Sequence, residues 1–127
     1  MSDIANPGQA SPAQPGSLGN SLTLQELTDA MNAFVAAMGW YRPDSPCKQS
    51  PRNIAISLSL EAAEVLEHYQ WGEHADGEAL SEELADVLLY LLQLAYLTEI
   101  DLGDAVMAKL SSNYKRFGPS PTQPGPA

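Results

Sequence analysis

The central part of this chain is strongly acidic and carries no compensating bases. Between Asn53 and Ala108 there is no lysine or arginine, while the same interval holds twelve acidic residues: Glu61, Glu64, Glu67, Glu73, Asp76, Glu78, Glu82, Glu83, Asp86, Glu99, Asp101 and Asp104. A solvated helix face usually mixes charge signs, because Glu–Lys pairs one turn apart stabilise it. No such pair is possible here. The acids therefore either repel one another in water or are held together by an external cation.

The overall charge argues against several classes of partner. Sixteen acidic residues against six basic ones give a net charge of −10 at pH 7, whereas a protein that binds nucleic acid needs a basic face. We therefore expect no nucleic-acid partner and no adhesion to an anionic membrane. The longest apolar stretch, Val87 to Leu97, is interrupted by Gln93 and is shorter than a membrane span of about 20 residues. A single Cys47 and the lack of a secretory signal favour the cytoplasm.

One domain and two tails are predicted. Residues 1–20 and 118–127 are rich in Pro, Gly and Ser and have no hydrophobic period, which predicts disordered tails. Residues 21–117 suffice for one modest core. Their apolar residues recur at helical spacing, so we expect an all-α fold with helices over about 24–38, 51–71, 79–99 and 102–117. Four helices with short connections favour an antiparallel bundle, or half of one.

Local signals mark the ends of these predicted helices. Thr23 and Glu26 form a capping box at the first start, and Ser50 precedes Pro51, which favours the first turn of a helix. Asp101 is the expected N-cap of the last helix. Gly39 and Gly118 are expected to end the first and last helices.

Two acids lie on the apolar side of each of the two central helices. At 100° per residue, Glu61 falls inside the stripe of the second helix and Glu64 lies on its edge. On the third helix, Glu83 and Asp86 share the stripe with Val87, Tyr90 and Leu94. Buried carboxylates without a partner are costly. A divalent cation would remove the conflict, and oxygen ligands select a hard ion, Mg²⁺ or its substitute Mn²⁺.

Two other interpretations of these acids are a solvated groove and a di-iron centre. The acids could line a solvated groove between subunits and bind nothing. A di-iron centre of the ferritin type is disfavoured, because it needs Glu-x-x-His motifs. His68 stands four residues after Glu64 and seven after Glu61, so that spacing is not met.

The segments LEAAEVLEHYQW (60–71) and EELADVLLYLLQLA (82–95) together resemble the MazG-like all-α NTP pyrophosphohydrolases, and within them the dCTP pyrophosphatase branch. That pattern is E-E-x-x-E, a spacer, then E-x-x-D. Glu61, Glu64, Glu83 and Asp86 match four of its five acids, whereas Leu60 replaces the first glutamate. The resemblance covers residues 24–117. It implies an all-α bundle that oligomerises and builds its active sites between subunits.

The resemblance also implies an activity. Mg²⁺ held by the four acids would act on a nucleoside triphosphate, with dCTP or a modified dCTP as the leading substrate, and would release the monophosphate and pyrophosphate. Glu64 is the candidate general base. The segment KLSSNYKR (109–116) resembles the K-x-x-x-N-x-x-R ending of the family, which implies phosphate contacts by Lys109 and Asn113. Lys109, Lys115 and Arg116 could instead only complement the dipole at the C-terminal end of the helix.

Three aromatic residues are candidates for contact with the base or sugar. The resemblance implies this role for Trp71 and Tyr90, and Trp40 in the loop before the second helix would offer another stacking surface. Aromatic residues at helical spacing are also common in cores. The same fold acting on another nucleotide, and a helical scaffold without activity, remain as alternatives.

Assembly is predicted from the third helix. It is apolar around most of its circumference, and such helices are usually buried. We therefore expect a homo-oligomer. The preference for a tetramer over a dimer comes from the resemblance alone.

Overall fold

The computed structural model describes residues 21–118. Its helices are α1 (Leu24–Ala37), α2 (Pro51–Glu67), α3 (Gly77–Leu97) and α4 (Leu102–Phe117). No strand occurs within residues 21–118, so the prediction of an all-α fold with four helices is confirmed. The two predicted tails, 1–20 and 118–127, lie outside the described residues except for Gly118.

The predicted starts of α1, α2 and α4 are confirmed by their capping contacts. The Thr23 hydroxyl accepts a hydrogen bond from the backbone of Glu26, and the Glu26 carboxylate accepts one from the backbone of Thr23. The Ser50 side chain caps α2, with Pro51 at the first position. Asp101 caps α4 in the same way. These bonds satisfy backbone N–H groups that have no partner within the helix.

Gly39 ends α1 by taking the left-handed conformation, with φ of 75°. Its N–H donates to the carbonyl of Ala36, and the N–H of Trp40 donates to that of Val35 at 3.2 Å. This pair of hydrogen bonds is a Schellman motif, in which glycine is favoured because it has no Cβ. The motif fixes the direction in which the chain leaves α1, and with it the position of Trp40.

The boundaries of α2 and α3 differ from the prediction by a few residues. α2 ends at Glu67 rather than near Trp71, because the chain tightens into a turn in which the N–H of Tyr69 donates to the carbonyl of Leu66 at 2.9 Å. α3 begins at Gly77 rather than Ala79, because Asp76 acts as its N-cap.

Helices α2 and α3 form an antiparallel pair, and α1 packs against α3. The direction follows from side-chain contacts, since Gln49 just before α2 meets Gln93, whereas His68 at the end of α2 meets Glu83. The buried apolar core between these elements is small and consists of Met31, Val35, Ile54, Leu92 and Ala95. Helix α4 makes only sparse contacts with the other three and buries no residue.

Much apolar surface stays exposed on the single chain. Met107 and Tyr114 of α4 are 66% and 74% exposed. The expected burial of α3 is met only in part, because Leu92 is 2% exposed while Leu84 is 51% exposed. Within residues 21–118, no helix combines the length and apolar character needed to cross a bilayer.

Candidate active site

Three carboxylates converge between α2 and α3. Glu61 comes from α2, and Glu83 and Asp86 lie one turn apart on α3. One oxygen from each lies within 4.8 Å of the others. The antiparallel pairing brings the helices together at this level, so two stripes that are remote in sequence supply one cluster. Three oxygens in this arrangement match the ligand type that Mg²⁺ or Ca²⁺ takes.

Charge repulsion and burial act together on this cluster. Burial, followed by the neighbouring carboxyls of Glu64 and Asp86, raises the pKa of Glu61 to about 7. The neighbouring carboxyl of Glu64, followed by burial, raises the pKa of Glu83. His68 lies beside the cluster, with its Nε2 3.8 Å from Glu83 Oε1. No lysine or arginine forms an ion pair with these acids within the described part of the chain.

Two oxygens of the cluster have no hydrogen-bond partner. Among residues 21–118, the buried side-chain oxygens without a partner are Glu61 Oε2 and Glu83 Oε2. A buried carboxylate oxygen normally has a donor or a cation beside it. The donor set therefore fits a hard divalent cation, and a groove of freely solvated acids is disfavoured.

Glu64 lies beside this cluster without being one of the three grouped acids. It influences both Glu61 and Glu83, so its carboxyl is close to theirs. Of the four metal ligands expected from the sequence, the structure thus brings three into one group and the fourth to its edge. A fourth carboxylate in this position can complete a ligand set or accept a proton.

A cavity of about 680 Å³ opens next to the cluster, with Asp86 in its wall. It lies between α1, the loop over 38–50, the first half of α2, and α3. This cavity is lined by Tyr90 and Trp40, two of the aromatic residues expected to contact the base or sugar of the nucleotide. Trp40 is held edge-on against Phe34, with ring centroids 5.6 Å apart and planes at 88°. The volume is in the range of small-molecule sites.

The remaining predicted site residues lie elsewhere on the single chain. Trp71 is 91% exposed in the loop after α2. Lys109 and Asn113 project from α4, and none of these three lines the cavity. The structure therefore brings the acids together with Tyr90 and Trp40, but leaves Trp71 and the α4 pair apart from them within one chain.

Sequence reasoning missed a hydrogen-bonded set of polar residues that begins in the cavity wall with Gln93 and Gln49. Gln93 is 3% exposed, and its Nε2 donates to Gln49 Oε1 at 2.7 Å and to the hydroxyl of Tyr41 at 3.5 Å. That hydroxyl in turn donates to Asn32. Burial raises the pKa of Tyr41, so this hydroxyl keeps its proton. The one sequence signal was the interruption of the apolar run of α3 by Gln93.

Comparison with known proteins agrees with this arrangement. The model of the MazG-like family matches residues 56–121, which contain all four acids. Two curated relatives named dCTP pyrophosphatase 1 are similar to the chain: the bovine protein is 32% identical over 81% of this chain, and the human protein is 34% identical over 75% of it. The chain spans 64% of the length of the bovine relative and 59% of that of the human one.

A solved structure shares the fold. The crystal structure of a pyrophosphatase from Archaeoglobus fulgidus has a TM-score of 0.64 and 33% identity, covering 79% of this chain and 96% of that one. The match of the family model covers more than half of the chain, in the segment that holds α3, α4 and the acids of α2. This chain belongs to the MazG-like family.

Proposed function

We propose that this protein is a Mg²⁺-dependent nucleoside triphosphate pyrophosphohydrolase, with dCTP or a modified dCTP as its substrate. The observation that carries the proposal is the cluster of Glu61, Glu83 and Asp86, whose buried oxygens lack partners and whose Asp86 also lines a cavity large enough for a nucleoside. The names of the relatives support the substrate class. Hydrolysis would remove the nucleotide from the cellular pool, and the exposed free thiol of Cys47 fits the cytoplasm as the compartment.

The chemistry follows from the residues of the cluster. A bound divalent cation supplies neutralisation of phosphate charge and a lower pKa for a coordinated water. Glu61, Glu83 and Asp86 would hold it, and Glu64 at the edge would accept a proton from the attacking water. The oxygen of this water bonds to the α-phosphorus, and the bond from that phosphorus to the bridging oxygen breaks. The products are the nucleoside monophosphate and pyrophosphate.

Recognition of the nucleoside is assigned to the cavity. Trp40 and Tyr90 in its wall offer aromatic surfaces on which a nucleobase can stack. In proteins that bind single-stranded nucleic acids, one such stacking contact contributes about 1–3 kcal/mol to binding. Trp71, Lys109 and Asn113 keep their proposed roles only if a second copy brings them to the cavity.

Assembly is therefore part of the proposal. We propose a homo-oligomer, with a tetramer favoured over a dimer. It would cover the exposed apolar side chains of α3 and α4 and would add basic side chains to the phosphate site. The cavity of one chain is lined by Lys48 and by no other lysine or arginine within residues 21–118. A triphosphate would need more positive charge than this.

The test is pyrophosphate release from a panel of deoxynucleoside triphosphates, with Mg²⁺ and with a chelator. We expect turnover only with the metal and a preference for dCTP. Asp86→Asn should remove most of the turnover, whereas Glu82→Gln should keep it, because Glu82 is an exposed neighbour on the same helix. A preference for another nucleotide would change the substrate, and no turnover of any nucleotide would favour the inactive scaffold.

A further inference from the structure

A buried amide in the cavity wall has a defined orientation. Gln93 is 3% exposed and lines the cavity. Its neighbour Gln49 donates from Nε2 to the backbone carbonyl of Cys47 at 2.9 Å. A carbonyl oxygen can only accept, so the nitrogen of Gln49 is fixed on that side and its Oε1 must face Gln93. Because Oε1 can only accept as well, the atom of Gln93 that lies 2.7 Å away must be the donor Nε2.

This chain of bonds leaves the amide oxygen of Gln93 without a donor among the described residues. Both hydrogens of its Nε2 are used, one by Gln49 and one by Tyr41. Within residues 21–118, no side chain donates to Gln93 Oε1. The oxygen is not among the sealed atoms without a partner, which are those of Glu61 and Glu83. It therefore keeps some exposed surface, and within the described part of the chain it is available as a hydrogen-bond acceptor in the wall of the cavity that Gln93 lines.

The position of Gln93 relative to the acidic cluster matches the length of a nucleotide. Asp86, Tyr90 and Gln93 are spaced by four and three residues, so they lie on one face of α3. Seven residues of helix separate Asp86 from Gln93 by about 10 Å along the axis. A substrate whose phosphates lie at Asp86 would thus extend past Tyr90 and bring the far edge of its base near Gln93.

We propose that Gln93 is a specificity-determining residue, whose amide oxygen accepts a hydrogen bond from the exocyclic amino group of the base. The inference rests on the proposed function and deepens it. Cytosine carries an amino group at the edge opposite the sugar, whereas uracil and thymine carry an oxygen there. With uracil or thymine, the oxygen of the base would face the amide oxygen of Gln93. Both atoms are acceptors, so neither would have a donor, which is costly in a buried site. The amide is held by the anchored Gln49, so it cannot turn to offer its nitrogen instead.

The test compares kcat/KM for dCTP and dUTP in the wild type and in Gln93→Leu. We expect the wild type to prefer dCTP by about ten- to a hundred-fold. In Gln93→Leu the preference should fall to within about threefold, mainly through a higher KM for dCTP, because the contact is made in ground and transition states alike. Leu92→Ala, at the adjacent buried position, should lower the Tm and keep the preference, which separates loss of the acceptor from loosening of the core.

A second measurement does not depend on the folding of the variant. On the wild type, the analogue of dCTP that lacks the 4-amino group should have a lower kcat/KM than dCTP. Its loss should be smaller than that of dUTP, because only the oxygen of Gln93 is left without a donor. Turnover of this analogue equal to that of dCTP would overturn the inference, as would a Gln93→Leu variant that keeps the wild-type preference. Equal turnover of dCTP and dUTP by the wild type would overturn it too, while leaving the proposed function intact. No turnover of any nucleotide would instead count against the proposed function itself and against this inference with it.

Discussion

The carboxyl of Glu61 makes the stability of the metal-free protein depend on pH. Its pKa is raised from 4.5 to about 7, first by burial and then by the neighbouring acids. Between these values the folded chain holds a proton that the unfolded chain has lost, so the free energy of unfolding falls as the pH rises through this window. We expect the Tm in chelator to drop between about pH 5 and pH 8, as measured by circular dichroism, and Glu61→Gln to reduce this drop.

Metal binding should reverse the same effect. Because a cation binds the ionised acids of the folded state only, Mg²⁺ should raise the Tm more at about pH 8 than at pH 5. Glu82→Gln serves as the control and should keep the pH dependence of the wild type. A Tm that is insensitive to pH in chelator, for the wild type, would show that Glu61 is not buried among acids.

Among single residues, the sequence predicted that Glu61, Glu83 and Asp86 lie together, whereas it did not predict the polar contacts of Gln93. Glu61, Glu83 and Asp86 interrupt two apolar stripes at helical spacing, and this pattern alone indicated that they face each other. Gln93 interrupts the stripe of α3 as well. Its partners Gln49, Tyr41 and Asn32 lie on the loop and on α1, and no helical periodicity relates those elements to α3.

Among the elements, the C-terminal end of α3 is strained. Glu99 has φ of 57°, a left-handed conformation that other residues than glycine rarely take. The N–H of Ile100 donates to the carbonyl of Ala95 at 2.9 Å, so Glu99 occupies the position that Gly39 holds at the end of α1. Glu99→Gly should therefore raise the free energy of unfolding by about 0.5–1 kcal/mol, in spite of the entropy that glycine adds to the unfolded chain.

The matched change is Gly39→Ala, which should lower the free energy of unfolding by about 1 kcal/mol. A Cβ at Gly39 would lie 3.6 Å from the Arg42 side chain, which is ordinary contact, so the cost comes from the backbone and not from a clash. Urea unfolding of the two variants measures both values. Changes of the same sign would contradict this account of the two helix ends.

Helix starts were easier to predict than helix ends. Thr23, Ser50 and Asp101 have side chains that accept backbone hydrogen bonds, so each start is encoded by one residue. The end of α2 has no such residue. The turn after Glu67 tightens through backbone bonds that any sequence can form, and for this reason the prediction extended the helix to Trp71.

For the whole molecule, the exposed apolar surface predicts self-association. Light scattering should give a mass that is a multiple of 13.6 kDa, with four chains expected. Met107→Asp should shift the distribution to smaller species, because Met107 is 66% exposed on a helix that contributes little to the core of its own chain. Ser112→Asp adds the same charge on another face of α4 and should leave the mass unchanged. A wild-type mass of one chain at micromolar concentration would contradict the assembly.

The central claim is that Glu61, Glu83 and Asp86 together hold a divalent cation. Its most direct test is a titration with Mn²⁺ monitored by electron paramagnetic resonance, which reports the free ion and needs no turnover. We expect the wild type and Glu82→Gln to bind Mn²⁺ alike, and Asp86→Asn to bind it at least about ten-fold more weakly, because that variant loses one of the ligands. Equal binding by Asp86→Asn and Glu82→Gln would contradict the account.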